Sequence, residues 1–299
     1  MFFTLMILIW GLNWTVMKVG LNFVGPLNLA MQRLLFASIA MLPVLFWKKK
    51  NFPRGGETWL KLFILSLINA ASTTFTYIGL MHESSGLSSL MTYTQPLFVY
   101  CLAILLLNER ASLAKTFGVL IGFSGVAVLY AGRISLTSYG LGWISFLILG
   151  AFLWAVTVIY YKKILNYVDP AIVNIIQFPV GFVFLFLAAL LFEGLTFNWN
   201  APLYIFTVLY MSILASAVAF TIWILLIREE ETIVVSTSSL LVPAIALISG
   251  RVFLGEAIEA SSIFGFILIL VGIYLTNRTS RGMRRILHPI RKFQNNSNL

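Results

Sequence analysis

Residues 89–109, SLMTYTQPLFVYCLAILLLNE, have a counterpart in residues 236–256, STSSLLVPAIALISGRVFLGE. At a constant offset of 147 positions Pro96 falls on Pro243 and Glu109 on Glu256; the same offset carries Gly118 onto Gly265 and Gly125 onto Gly272. An apolar segment with an internal proline, a closing acid and a glycine-bearing successor therefore occurs twice. That pattern indicates a duplicated membrane protein, and duplication in membranes is the habit of transporters.

Composition agrees. Of 299 residues, 60% are hydrophobic and only 10% charged, against about 25% charged in soluble domains. Too little polar surface remains to cover a water-soluble globule, and the partner implied is the lipid bilayer. A transmembrane helix needs about 20 apolar residues, and ten such spans can be drawn, at 2–20, 28–47, 59–80, 87–107, 114–131, 140–161, 171–192, 202–226, 233–254 and 260–276. The short connections leave no room for an inserted soluble domain. The first span lacks a basic leader and runs past the length of a signal-peptide core; its abrupt start at residue 2 suggests a native chain beginning slightly earlier. The single cysteine, Cys101, excludes an intramolecular disulfide and a cysteine metal site, so no metal or cofactor is expected. The net charge of +10 is no sign of nucleic acid, because the basic residues sit in short loops between spans.

Those residues fix the expected orientation. With the N-terminus inside, sixteen lie on the cytoplasmic side: Lys48, Lys49, Lys50, Arg54, Lys61, Arg110, Lys115, Lys162, Lys163, Arg228, Arg278, Arg281, Arg284, Arg285, Arg291 and Lys292. Only Lys18, Arg133 and Arg251 face the other side, and Arg33 lies within span 2. The asymmetry follows the positive-inside rule and makes both termini cytoplasmic. Five spans per half is an odd number, so the halves enter the membrane in opposite senses. The expected fold is an all-α integral membrane protein of ten transmembrane helices, built as two inverted five-helix repeats. The first covers residues 1–133 and the second 134–277, followed by a basic cytoplasmic tail at 278–299. Weaker echoes support the pairing: Trp14 with Trp154, Val24-Gly25-Pro26 with Val168-Asp169-Pro170, and Ser66 with Ser212. Inverted repeats place a binding site between the halves and switch access by rocking.

The paired Pro-to-Glu segments resemble the EamA type of the drug/metabolite transporter superfamily. The resemblance rests on Pro96, Leu107-Asn108-Glu109, Gly118, Gly122 and Gly125, repeated as Pro243, Leu254-Gly255-Glu256, Gly265 and Gly272. The opening Trp10-Gly11-Leu12-Asn13-Trp14 and the run Arg33-Leu34-Leu35-Phe36-Ala37 are also similar to that family's first two helices. It covers the chain to about residue 277. Two departures are visible: Gln177 stands near the place equivalent to Arg33, and Ile269 stands where Gly122 predicts a glycine. The resemblance implies ten helices as five plus five, a cavity surrounded by helices 1, 3, 4, 6, 8 and 9, and export of amino acids, other small metabolites or toxic compounds.

All ten acids (Glu57, Glu83, Glu109, Asp169, Glu193, Glu229, Glu230, Glu231, Glu256 and Glu259) fall in loops or at span ends. Proton- and sodium-driven carriers often hold an intramembrane carboxylate, so coupling through a buried acid is disfavoured. Glu109 and Glu256 read equally as helix terminators or as gate residues. Arg33 lies partway into a span, where a charge is costly; it either contacts a substrate carboxylate or phosphate, or snorkels to headgroups. Trp10, Asn13, Trp14, Tyr77, Tyr93, Gln95, Trp154, Trp223 and Ser238 combine apolar bodies with polar tips, which suits a pocket for modest organic solutes. Each reads alternatively as an interfacial aromatic or an interhelix bond. Pro96 and Pro243 are expected hinges, and Gly118, Gly122 and Gly125 form a stripe for close helix approach.

The expected function is a secondary transporter exporting small organic metabolites, amino acids or related compounds, by alternating access, in the cell membrane (a bacterial inner membrane), as a monomer or homodimer. An enzyme is not expected: only His82 and His288 are present, and no intramembrane aspartate pair or HExxH exists. A P-loop is absent too. The alternative reading is a membrane receptor or structural protein without transport activity.

Overall fold

The computed structural model describes residues 2–48, 52–109, 112–130, 138–232, 235–236, 239 and 241–256, with 264–265, 267–268, 270–272 and 274–275 beyond them. The described chain is helical throughout, as hydrocarbon demands: a helix bonds its own backbone groups where no water can. Six helical runs are long and apolar enough to cross a membrane: Phe2–Gly20, Gly56–His82, Ser85–Leu107, Gly142–Leu165, Pro170–Phe192 and Pro202–Glu229. A seventh is Pro26–Ala40 joined to Leu42–Lys48 through a 43° bend, and Leu113–Gly125 and Leu241–Leu254 are shorter apolar helices. The first eight expected spans thus each coincide with a helix or a broken helix. The ninth is described continuously only from Leu241, and the tenth in fragments.

The elements are α1 (Phe2–Gly20), α2 (Pro26–Ala40), α3 (Leu42–Lys48), α4 (Gly56–His82), α5 (Ser85–Thr92), α6 (Gln95–Leu107), α7 (Leu113–Tyr130), α8 (Ser138–Tyr160), α9 (Pro170–Phe192), α10 (Pro202–Leu209), α11 (Ala219–Glu229) and α12 (Leu241–Leu254). Two stretches widen to π-helix, Tyr161–Leu165 after α8 and Tyr210–Val218 between α10 and α11. Proline dictates one break. The Pro96 ring has no N–H to give the Thr92 carbonyl, and the helix parts there, α5 ending at Thr92 and α6 starting at Gln95. Pro243 is the third described residue of α12. Pro179 lies inside α9 without ending it.

The packing comes in exchanged pairs. α1 lies against Tyr210–Val218 and α12, while α8 lies against α4 and α6; α2 packs on α9, α2 also on Tyr210–Val218, and α4 on α9. Large apolar side chains cover the outside, among them Leu105, Phe117, Leu191, Phe192, Val252 and Phe253, an extent of exposed hydrophobic surface that lipid explains. The glycine stripe is used within the chain: a Cβ on Gly272 would lie 2.6 Å from the Gly118 carbonyl oxygen and 2.6 Å from the Gly122 nitrogen.

Helix ends are closed by charged side chains, the lysines within their own half and the glutamates from the other. The Lys18 ammonium donates to the carbonyls of Leu80, Met81 and Glu83 at 2.9, 3.1 and 2.7 Å. Lys162, 144 positions on, donates to carbonyls 147 positions on, those of Ile227, Arg228 and Glu230, at 2.7, 2.8 and 3.0 Å. Acids serve the opposite ends. Glu256 accepts from the Ser85 N–H and hydroxyl at 2.9 Å and from the Gly86 N–H at 3.4 Å, and Glu109 accepts from the Thr232 N–H at 3.0 Å. Thr232 is the offset partner of Ser85, so the two acids repeat one contact in exchanged roles. The terminator reading of Glu109 and Glu256 therefore describes the structure, but the ends they close belong to the other half.

The start of α2 follows the same rule. Glu193 accepts from the N–H groups of Leu27 and Asn28 and from the Asn28 amide, at 2.9, 3.1 and 2.9 Å. Gly25 precedes that start, and a Cβ there would lie 2.4 Å from Glu193 Oε2; glycine leaves room for the carboxylate. At the equivalent start of α9 the cap is Asp169 itself, accepting from the Ala171 N–H at 2.9 Å and from Lys48 at 2.7 Å. Burial alone raises the Asp169 carboxyl, but the bonds from Lys48 and Ala171 and the Lys48 charge outweigh it and hold the group below the usual carboxylate range.

Two outcomes follow. Glu256→Ala leaves the first N–H groups of α5 without their acceptor, at an expected loss of about 1–3 kcal/mol, read as a lower unfolding midpoint in mild detergent; an unchanged midpoint shows that water replaces the carboxylate. For Asp169 the folded-state value is depressed, so its contribution is present above the unfolded carboxylate value and lost as pH falls through the folded one. Thermal unfolding of wild type and Asp169→Asn should accordingly converge as pH falls below about 4, and a constant difference contradicts the ion pair.

Candidate functional site

Between α1, α2, α4, the α5–α6 break, α8 and α11 lies a cavity of about 90 Å³, several times the roughly 10–15 Å³ that one water needs. Its apolar wall is aromatic. Trp10 meets Trp154 at 5.8 Å, Phe220 at 5.5 Å and Trp223 at 5.3 Å between ring centres, and Tyr93 meets Trp154 at 5.5 Å. Its polar wall comes from α4, one residue per turn or two: Asn69, Ser72, Thr73, Thr76 and Tyr77. These hydroxyls are partly committed, Ser72 donating to the Gly150 carbonyl and Thr73 to the Asn69 carbonyl. The Asn13 Nδ2 group donates to the Met17 sulfur at 2.8 Å, and Asn13 Oδ1 is buried with no partner. Trp154 Nε1 is likewise buried without one.

Arg33 supplies the charge. Its side chain turns into the bundle and not toward headgroups: the residue is 9% exposed. Nε donates to Ser216 Oγ at 2.7 Å, and Nη1 to the Tyr77 hydroxyl at 3.2 Å and the Met17 sulfur at 3.9 Å. Every one of these partners is neutral, and among the described residues no Asp or Glu lines the cavity.

The π-helical stretch explains two of the bonds. Widening to i→i+5 shifts carbonyls out of register and is frequent at functional sites. Here Ser216 Oγ turns back to the Met211 carbonyl at 2.8 Å while it accepts from Arg33. The Ala215 carbonyl next to it accepts from the Trp10 indole at 3.0 Å. Ser216 escaped the sequence reading. Its only trace there is the small-residue run Ala215-Ser216-Ala217, which residue type alone does not single out.

A second, smaller cavity of about 20 Å³ lies beyond Trp154 and Phe220, which line both; Trp223, Gln177, Thr157, Val158, Tyr161 and Ile224 line only this one. The two are built from equivalent positions. An offset of 144, the one relating Pro26 to Pro170, carries Trp10, Asn13, Trp14, Met17 and Arg33 onto Trp154, Thr157, Val158, Tyr161 and Gln177. The offset of 147 carries Thr73, Thr76 and Tyr77 onto Phe220, Trp223 and Ile224. Trp154 thus answers to Trp10 here, one turn away from the Trp14 match that residue type alone suggested.

Of the expected site residues, Trp10, Asn13, Trp14, Arg33, Tyr77, Tyr93 and Trp154 converge on the larger cavity. Trp223 packs on Trp10 and Trp154 and faces the smaller one. Gln95 lines neither; it is fully buried, with both amide atoms unpartnered, as are the neighbouring hydroxyls of Ser88, Ser89 and Thr92. Ser238 lies outside the described residues.

The EamA-like transporter family model matches residues 1–131 and again 141–278. The chain belongs to the EamA-like transporter family. It is 29% identical over 289 residues to the "Uncharacterized transporter YvbV" of Bacillus subtilis, covering 93% of this chain and 91% of that one. It is also 29% identical over 283 residues to the "Probable amino-acid metabolite efflux pump" of Salmonella typhimurium, covering 91% and 92%. A solved crystal structure superposes with a TM-score of 0.77 at 17% identity, over 94% of this chain and 97% of its own, which shows a shared fold. As an EamA-family chain with several apolar helices, this is a multi-pass membrane protein of a transporter family, and the relatives carry transporter names rather than enzyme names.

In this EamA protein the buried guanidinium depends on its two hydroxyl acceptors. Ser216→Ala and Tyr77→Phe should each cost about 1.5–3 kcal/mol, and the double variant should depart from the sum because both bonds serve one group. Chemical unfolding of the four proteins checks this; strict additivity would mean that the two contacts act independently of Arg33.

Proposed function

We propose that this chain is a secondary transporter that exports small organic metabolites, amino acids or related compounds, by alternating access through the cavity between two inverted five-helix repeats. The observation that carries the reading is the pair of cavities lined by equivalent positions and separated by Trp154 and Phe220. One holds about 90 Å³ and the other about 20 Å³, as a carrier open toward one face requires. The lysine caps, repeated within each unit, and the glutamate caps, exchanged between them, support the repeat with 1–133 and 134–277 as the two units; ten spans with both termini in the cytoplasm complete the proposed topology. The names of the Salmonella typhimurium and Escherichia coli relatives, "Probable amino-acid metabolite efflux pump", support the substrate class. The cell membrane, a bacterial inner membrane, is the compartment that fits.

In this scheme the aromatic wall holds the apolar body of the solute, and Asn13, Arg33 and Tyr77 orient its polar end. Pro96 and Pro243 let helices flex where the cavity closes. Among the described residues no carboxylate lines either cavity, so exchange or facilitated movement is the expected mode and not proton coupling through a buried acid.

Counterflow in proteoliposomes tests this. Preloading with unlabelled solute should accelerate saturable uptake of the labelled solute, and Trp10→Ala should lower that uptake about tenfold or more while the protein stays folded. Gln95→Ala, outside both cavities, should act mainly through stability. Uptake without saturation or counterflow from any amino acid or related metabolite, in inserted and folded protein, contradicts the reading.

A further inference from the structure

We infer that the larger cavity is built for a small organic monoanion, a carboxylate on an apolar body with no ammonium group. This rests on the reading of the same cavity as the transport site and narrows its substrate class.

Charge decides the class of ligand. Arg33 is buried, and all its partners are neutral: a serine hydroxyl, a tyrosine hydroxyl and a thioether. The bonds of Arg33 to described residues use Nε and Nη1 and none uses Nη2, and the residue lines the cavity. An unpaired buried charge is costly, and arginine offers a planar fork that matches a carboxylate in two bonds. No acid among the lining residues offsets it. The missing counter-charge must come with the ligand.

The same census speaks against a zwitterion. An α-ammonium sits within a few ångströms of its own carboxylate and would be held close to the Arg33 cation at reduced dielectric, where repulsion is strong. The cavity offers that ammonium neutral oxygens, among them Asn13 Oδ1, Asn69 and the Thr76 and Thr92 hydroxyls, and ring faces, but among the described residues no negative group. A zwitterion leaves the site at +1; a monoanion brings it to zero; a phosphate dianion overshoots. The body of the ligand fits the rings of Trp10, Trp14, Trp154 and Phe220. The paired cavity offers no alternative, because Gln177, a neutral amide, stands where Arg33 would be.

Three ligands with one skeleton separate the charges: 3-phenylpropionate, phenylalanine and 2-phenylethylamine. Their binding to wild-type protein in lipid nanodiscs at pH 7 is read by calorimetry and by quenching of tryptophan fluorescence. 3-Phenylpropionate should bind at least tenfold tighter than phenylalanine, and 2-phenylethylamine should not bind. Arg33→Gln, checked for folding by thermal unfolding, should weaken the carboxylate at least tenfold and remove the preference; Arg33→Lys, which keeps the charge, should retain it. Phenylalanine binding as tightly as 3-phenylpropionate overturns the inference, as does no binding of the carboxylate to folded wild type, or an unchanged Arg33→Gln. Where Arg33→Gln does not fold, the wild-type comparison with Arg33→Lys decides alone. Because binding is measured at equilibrium, absent counterflow leaves this result standing, whereas counterflow of zwitterions with no carboxylate binding keeps the transporter and refutes the anion site.

Discussion

A helix that ends in or beside hydrocarbon leaves several N–H and C=O groups that water cannot reach. In this protein those ends are closed by charged side chains, and at the decisive places the side chain comes from the other half of the chain. Glu256, Glu109 and Glu193 close N–H ends of the other half, in keeping with the helix dipole, while Lys18 and Lys162 close the carbonyl ends of α4 and α11 within their own halves. The consequence is mechanical as well as energetic. The glutamates complete helix starts that the other half leaves open, and the bonds of Arg33 to Ser216 and of Trp10 to the Ala215 carbonyl tie the halves again beside the cavity.

The centre is correspondingly asymmetric. Equivalent backbone positions carry different chemistry: Arg33 against Gln177, Tyr77 against Ile224, Asn13 against Thr157, Thr73 and Thr76 against Phe220 and Trp223. Two walls of equivalent positions thus differ in chemistry, one charged and rich in hydroxyls and the other neutral and more apolar. Trp154 and Phe220 belong to both, so a movement of that pair enlarges one cavity at the expense of the other.

Much of this was legible in the sequence. Apolar runs of about 20 residues and the offset of 147 mark the helices and the duplication, because hydrocarbon thickness and repeat spacing leave direct traces. Trp10, Asn13, Trp14, Tyr77, Tyr93 and Trp154 could be chosen by residue type on the right spans. What spacing does not reveal is contact across the halves. The partners that turn Arg33 inward, Tyr77 and Ser216, stand 44 and 183 positions away. The π-helical register that aims Ser216 and the Ala215 carbonyl has no composition signature. Gln95 beside Pro96 looked like a site residue by the same reasoning as Tyr93, yet two positions further along a broken helix is enough to face it away from the cavity. Glu109 and Glu256 announced a helix end, but not whose end they would close.

The most direct test of alternate exposure uses the scarcity of thiols. With the lone Cys101 replaced by serine, Thr73→Cys reports on the larger cavity and Thr157→Cys on the smaller. Their modification rates by a membrane-impermeant reagent are measured in oriented vesicles, with and without a transported solute. Opposite changes at the two positions, one gaining reactivity as the other loses it, are what two cavities sharing a wall predict. Equal changes at both, or none with a solute known to be transported, would contradict the account.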